Sequence, residues 1–182
     1  PMRAFSPNAI LCSGFSKTVA PGIRIGWVHS VNYMRKIASL KYTSTMGTSV
    51  LSQAAVAELL RSGGYDAHLR KLRRELARQI REMRQSVLRE FPAGTRVSDP
   101  EGGYVLWVEM PRQALNVREL FLKARNAGIG IAPGHIFATD QRYDHCFRLN
   151  AGFGWNAEVE QAIKQLAQWC QLSLTDPQEE QD

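Results

Sequence analysis

The chain has 182 residues, 44% hydrophobic and 22% charged, with a formal net charge of +6. That length can hold one or two domains around a substantial core, and the composition is that of an ordinary globular protein. No apolar run approaches the roughly 18 residues of a membrane-spanning helix, and Pro1-Met2-Arg3-Ala4-Phe5 carries no apolar signal-peptide core. Cys12, Cys146 and Cys170 are too few and too scattered for a disulfide framework or a metal cluster. A cytoplasmic protein with no membrane segment and no metal site is the expectation. Cys12, in an apolar run, and Cys170, in a helical pattern, read as buried thiols.

In chain order, the turn at Ser6-Pro7 opens a strand over 8–12, and a second strand covers 24–29. Neither alternates with polar residues, which predicts strands of a parallel or mixed sheet covered on both faces. Between them lies a turn of small residues holding Lys17, with Arg24 seven positions on. Lysine is the side chain that forms Schiff bases with carbonyl groups. A carbonyl cofactor that also carries a phosphate needs such a lysine beside an anion site, and pyridoxal phosphate meets that description. The plain alternative is a surface lysine after a strand, with Arg24 an ordinary ion-pair partner.

A helix begins at 32 with Asn32 as its cap, and the Ser/Thr-rich stretch 41–49 should break it. A second helix over 51–61 ends at Gly63-Gly64. The clearest helix spans 66–90, where Leu69, Leu72, Leu76, Ile80, Met83, Val87 and Phe91 recur at spacings of three and four. Arginines and a lysine fill its other faces. They can be read as a DNA contact or as a solvated face partnered by Glu75, Glu82 and Glu90; the second reading is preferred.

Strands over 95–98 and 103–109 flank the turn Asp99-Pro100-Glu101-Gly102. Asn116 caps a helix to 126, a short strand and turn follow over 130–134, and another strand covers 146–150. Asn156 caps a last helix over 157–172, and the tail after Thr175 should fray. The alternation predicts an α/β fold. Arg148 stands alone in the apolar strand Cys146-Phe147-Arg148-Leu149-Asn150. A charge there is costly unless paired, and its planar fork matches a carboxylate at two points. An ion pair with Glu109 or Asp144 is the alternative. His135 reads as a solvated loop histidine, and Asp140, Asp144 and His145 lack the spacing of a metal site.

The run Ser13-Gly14-Phe15-Ser16-Lys17, continued by Pro21-Gly22, Arg24 and Gly26, resembles the cofactor-lysine segment of fold-type I, pyridoxal-phosphate-dependent aminotransferases of class I/II. The resemblance implies that Lys17 holds the cofactor as a Schiff base and that Ser16 and Arg24 bind its phosphate. Gly14 stands where the family often has a phosphate-binding serine, so either the grip on phosphate is weaker or a backbone amide replaces the hydroxyl. Gly102-Gly103-Tyr104, Pro133-Gly134 with Phe137, and Phe147-Arg148 resemble further family segments in the same order. They imply that Arg148 binds the α-carboxylate of an amino acid or 2-oxo acid.

By this resemblance the fold is the C-terminal part of the aspartate aminotransferase-like fold. Residues 1–63 would be a remnant of the large cofactor domain, 64–91 a long connecting helix and 92–182 a small α/β domain. The family's partners for the pyridine nitrogen, the phenolic oxygen and the ring face precede the lysine, so the chain reads as part of a longer protein. Amino transfer is then expected of the intact protein, a homodimer, and not of this segment alone. Phe147 to Gly152 followed by Trp155-Asn156 is most similar to the aminotransferase-like domain of MocR-type (GntR-family) transcriptional regulators. DNA binding there belongs to an N-terminal winged-helix domain absent from this chain. The alternatives are a metabolic aminotransferase and a small α/β binding domain that keeps only the lysine turn.

Overall fold

The computed structural model describes residues 6–111 and 116–175; the tail expected to fray lies outside the described residues. The chain divides into two compact units, Pro1–Leu72 and Arg73–Asp182. Among the described residues no helix is long and apolar enough to cross a membrane.

The first unit opens with β1 (Ile10–Gly14) and β2 (Gly26–Ser30), an antiparallel pair in register from Ile10 opposite Ser30 to Gly14 opposite Gly26. Neither is covered on both faces as their apolar sequences predict. Ile10 is 54% exposed and Trp27 44%, while Ser30 alone in the pair is fully buried. Cys12 is exposed, against its reading as a buried thiol. An apolar run records that a strand can be covered, but not which elements cover it, and a pair of strands cannot shield both of its own faces.

Helix α1 spans Met34–Thr45. Its cap is Tyr33, without a side-chain cap bond; Asn32 instead donates from Nδ2 to Asn8 Oδ1 at 2.7 Å. The Ser/Thr stretch does not break the helix before Thr45, and Ser44 and Thr45 bond back to the carbonyls of Leu40 (2.7 Å) and Lys41 (3.1 Å). The hydroxyls thus find partners on the helix itself. Helix α2, Val50–Arg61, starts at Ser49, whose hydroxyl accepts from the Ser52 amide.

Helix α3 runs from Gly64 to Glu90 and contributes its first turns to the first unit and the rest to the second. In the second unit Ile80, Met83 and Val87 are buried, as the three–four spacing requires. There β3 (Arg96–Val97), β4 (Val105–Glu109), β5 (Ala132–Pro133) and β6 (Cys146–Asn150) form one sheet in the order β3-β4-β6-β5, every pairing antiparallel. Helices α4 (Val117–Asn126) and α5 (Ala157–Thr175) complete the mixed α/β unit. Asn116 caps α4 and Asn156 accepts from the Val159 amide at the start of α5.

One side of this sheet is the core. Leu106, Val108, Phe147 and Leu149 pack with Val87, Leu120, Ala124, Ile163 and Leu166, all nearly inaccessible. Burying side chains of this size stabilises by about 1.5–3 kcal/mol each. The strand period of two then turns Trp107 and Arg148 to the opposite, open side.

Candidate functional site

Two groups of sequence-predicted residues can be built up from their elements, one in each unit. In the first, the strands β1 and β2 are bridged by residues 15–25. The Phe15 amide donates to the Ile25 carbonyl at 2.9 Å and closes the bridge at its base. Inside it the amides of Thr18 and Val19 both donate to the Phe15 carbonyl, making a tight turn with Lys17 exposed on it. A short 3-10 turn, Pro21–Ile23, then leads to Arg24, whose φ of 52° is left-handed. Few non-glycine residues take that conformation, and such strain concentrates where a side chain must be aimed.

The result brings together two residues eight positions apart. Arg24 Nη1 donates to Ser16 Oγ at 3.5 Å, and Arg24 is exposed. A guanidinium and a hydroxyl side by side, both with donors to spare, form a site for an oxyanion. Gly14 stands opposite Gly26 at the end of the strand pair. A Cβ on Gly26 would lie 2.9 Å from the Ser13 carbonyl oxygen, so the close approach of the strands beneath the turn requires glycine there.

The turn is also anchored from a distance. Tyr65 Oη donates to Thr18 Oγ1 at 3.1 Å, His68 Nε2 lies 2.8 Å from the Thr18 carbonyl, and Phe15 meets the Tyr65 ring edge-on at 5.8 Å. Thr18, Tyr65 and His68 escape sequence reasoning, because Tyr65 and His68 follow an ordinary helix pattern some fifty positions on.

In the second unit, Arg148 occupies the open face of β6. Neither proposed alternative partner holds it. Glu109 pairs with Arg96 and lies 3.3 Å from His145 Nε2, and no ion pair joins Asp144 to Arg148 among the described residues. The Arg96 guanidinium holds the Glu109 carboxyl below its ordinary range; burial opposes it, and the His145 hydrogen bond adds a lesser lowering. Arg148 Cζ instead stands 5.0 Å over the Phe137 ring. Phe137 ends the 3-10 turn Gly134–Phe137, which sits so tightly that a Cβ on Gly134 would fall 2.0 Å from the Tyr143 carbonyl oxygen. His135 is half-buried in that turn rather than fully solvated.

Residues 4–166 match the model of the family described as aminotransferase class I and II. The chain belongs to that family. It is 42% identical over 163 residues to the HTH-type transcriptional regulator YdcR of Escherichia coli K12, covering 90% of this chain and 35% of the relative. It is 33% identical to the HTH-type transcriptional regulator NorG of Staphylococcus aureus, covering 86% and 35%. Among solved structures, the kynurenine aminotransferase of Pyrococcus horikoshii superposes with a TM-score of 0.81 at 26% identity, covering 91% of this chain and 41% of that one. The chain thus spans about a third of the length of the curated relatives it matches. The aminotransferase-like fold is that of its C-terminal part, as the motif order implies, and it occurs in relatives named as transcriptional regulators as well as in aminotransferases.

Proposed function

We propose that this chain is the pyridoxal-phosphate- and amino-acid-binding region of a MocR/GntR-type transcriptional regulator. The observation that carries the reading is the Lys17 turn, with Ser16 and Arg24 brought to 3.5 Å beside the lysine. Pyridoxal phosphate fits the residues present. The hydroxyl and guanidinium suit its phosphate, and the exposed turn suits an amine that must reach an aldehyde. When bound, the cofactor supplies an electron sink for the substrate's Cα.

The chain's own residues divide the remaining work. Lys17 would hold the cofactor and would carry the proton at the substrate Cα. Ser16 and Arg24 fix the phosphate end. Arg148 holds the α-carboxylate of an amino acid or 2-oxo acid, so that a two-point grip orients the Cα–H bond. The names of YdcR and NorG support the regulator context; in our reading a winged-helix domain outside this chain contacts DNA and the intact protein is a cytoplasmic homodimer. The likeness to the kynurenine aminotransferase favours a second reading, the C-terminal part of a metabolic aminotransferase.

The test uses the intact protein loaded with pyridoxal phosphate. Borohydride reduction followed by peptide mapping is expected to find the cofactor on Lys17; cofactor on another lysine overturns the assignment. Arg148→Lys should weaken amino-acid binding at least tenfold while leaving cofactor retention unchanged, because a point charge cannot reproduce the fork. Steady-state amino transfer by the same protein would move the balance to the enzymatic reading.

A further inference from the structure

Arg148 faces an aromatic ring and makes no ion pair among the described residues. Its Cζ lies 5.0 Å from the Phe137 centroid, and Trp107 is its cross-strand partner. Trp107 meets Phe137 edge-on at 5.4 Å and 75°, and Tyr143 edge-on at 5.3 Å and 80°. Of the carboxylates in the neighbouring segments, Glu109 is engaged by Arg96 and His145 and Asp140 by Arg142, and no ion pair joins Asp144 to Arg148 among the described residues. Phe137 is 41% exposed, so core burial does not explain why a large aromatic side chain stands there. Its backbone is nonetheless fixed, since Gly134 sets the turn directly against the Tyr143 carbonyl.

We propose that Phe137, held by Trp107, which Tyr143 backs in turn, is a positioning residue that presents the Arg148 guanidinium to a carboxylate. The inference rests on the carboxylate role proposed above for Arg148. Its physical basis is the difference between two ways of restraining an arginine. An ion pair restrains the side chain by occupying its N–H donors. A ring face attracts the cation through the quadrupole and leaves those donors available. Arginine also carries substantial rotamer entropy, so a guanidinium already restrained loses less on binding. The aromatic cluster therefore pre-organises the fork without competing with the ligand.

The experiment is calorimetric titration of the intact, cofactor-loaded protein with each of the twenty L-amino acids, the tightest becoming the probe. Phe137→Leu and Phe137→Met remove the ring face and keep an apolar side chain; Phe137→Tyr keeps the face. Both non-aromatic variants are expected to bind the probe about three- to fivefold more weakly, with Phe137→Tyr at wild-type affinity. In an Arg148→Ala background Phe137→Leu should cause no further loss. Wild-type affinity in Phe137→Leu and Phe137→Met overturns the inference, as does equal weakening of Phe137→Tyr. A Phe137→Leu loss that persists without Arg148 overturns it too, because the ring would then act on the ligand directly. These outcomes leave the role of Arg148 standing. If Arg148→Ala itself keeps wild-type affinity, or if no amino acid binds, the carboxylate reading fails and this inference falls with it.

Discussion

Glu109 shows how one carboxylate can decide what an arginine elsewhere is free to do. It lies opposite Arg96 across β3 and β4 and opposite Cys146 across β4 and β6, and it pairs with Arg96 and His145. With Glu109 so engaged, Arg148 on the same sheet is left to Phe137. The arrangement has a pH signature. The folded-state carboxyl of Glu109 is lowered from its ordinary value of 4.5, chiefly by Arg96, so the unfolded chain binds its proton more readily. The stabilisation is complete above the ordinary value and is lost as the pH falls below it and through the lowered one. Glu109→Gln should therefore reduce the urea midpoint at about pH 6, and by less at about pH 3, because the stabilisation declines as the pH falls below the ordinary value. Parallel midpoints at both values would show that the pair contributes nothing. The cysteines differ in the same local way. Burial pushes the Cys170 thiol up to about 12, which leaves it inert, whereas Cys12 is exposed.

Among the elements, α3 carries the strongest charge pattern and the most ambiguous one. Arg78 pairs with Glu75 at i,i+3, Arg84 with Asp99, and Arg89 with Glu90 and Glu160. Of the expected partners, Glu75 acts at helical spacing, Glu90 pairs with its immediate neighbour, and Glu82 makes no ion pair among the described residues. Arg70, Lys71, Arg73, Arg74 and Arg81 are exposed and likewise make no ion pair among the described residues. Exposed cations on a helix bind polyanions through counterion release and read no base sequence. The chain should accordingly bind duplex DNA weakly, equally for unrelated sequences, with affinity collapsing as salt rises. Fluorescence anisotropy with two unrelated duplexes at low and physiological salt checks this; a sequence preference that survives physiological salt would assign α3 a DNA-reading role. The apolar stripe gives the helix its structural task, since Ile80, Met83 and Val87 are core residues of the second unit.

At the scale of the whole molecule, the two units differ in how much of their apolar surface they bury. The second encloses the continuous core that runs from Ile80 to Cys170. In the first, Met46 is 81% exposed, Val50 79%, Leu51 82% and Tyr42 70%. Soluble monomers rarely leave so many neighbouring large apolar side chains in water, and such patches drive association. Residues 1–182 expressed alone should therefore self-associate, with light scattering giving a mass above that of a monomer and rising with concentration. Replacing Met46 and Leu51 by serine should shift the distribution toward the monomer. A monodisperse monomer at high concentration would show that this surface is not adhesive.

Some of this was legible from residue order alone, and the reason is distance along the chain. The Lys17 segment is contiguous, so its small residues, its Pro21-Gly22 turn and its Arg24 declare themselves together, and only eight positions separate the Ser16–Arg24 contact. Helix period and apolar runs marked α3, β4 and β6; which face of the second sheet is buried came with the fold. Order along the chain could not decide what covers β1 and β2, because an apolar strand has the same pattern whichever element packs on it. Nor could it reveal Tyr65 and His68 at Thr18, Glu109 between Arg96 and His145, or Phe137 at Arg148. Those contacts join segments whose residues each satisfy an ordinary local pattern. Only folding, by setting strand register and seating the Gly134 turn against Tyr143, brings their side chains within reach.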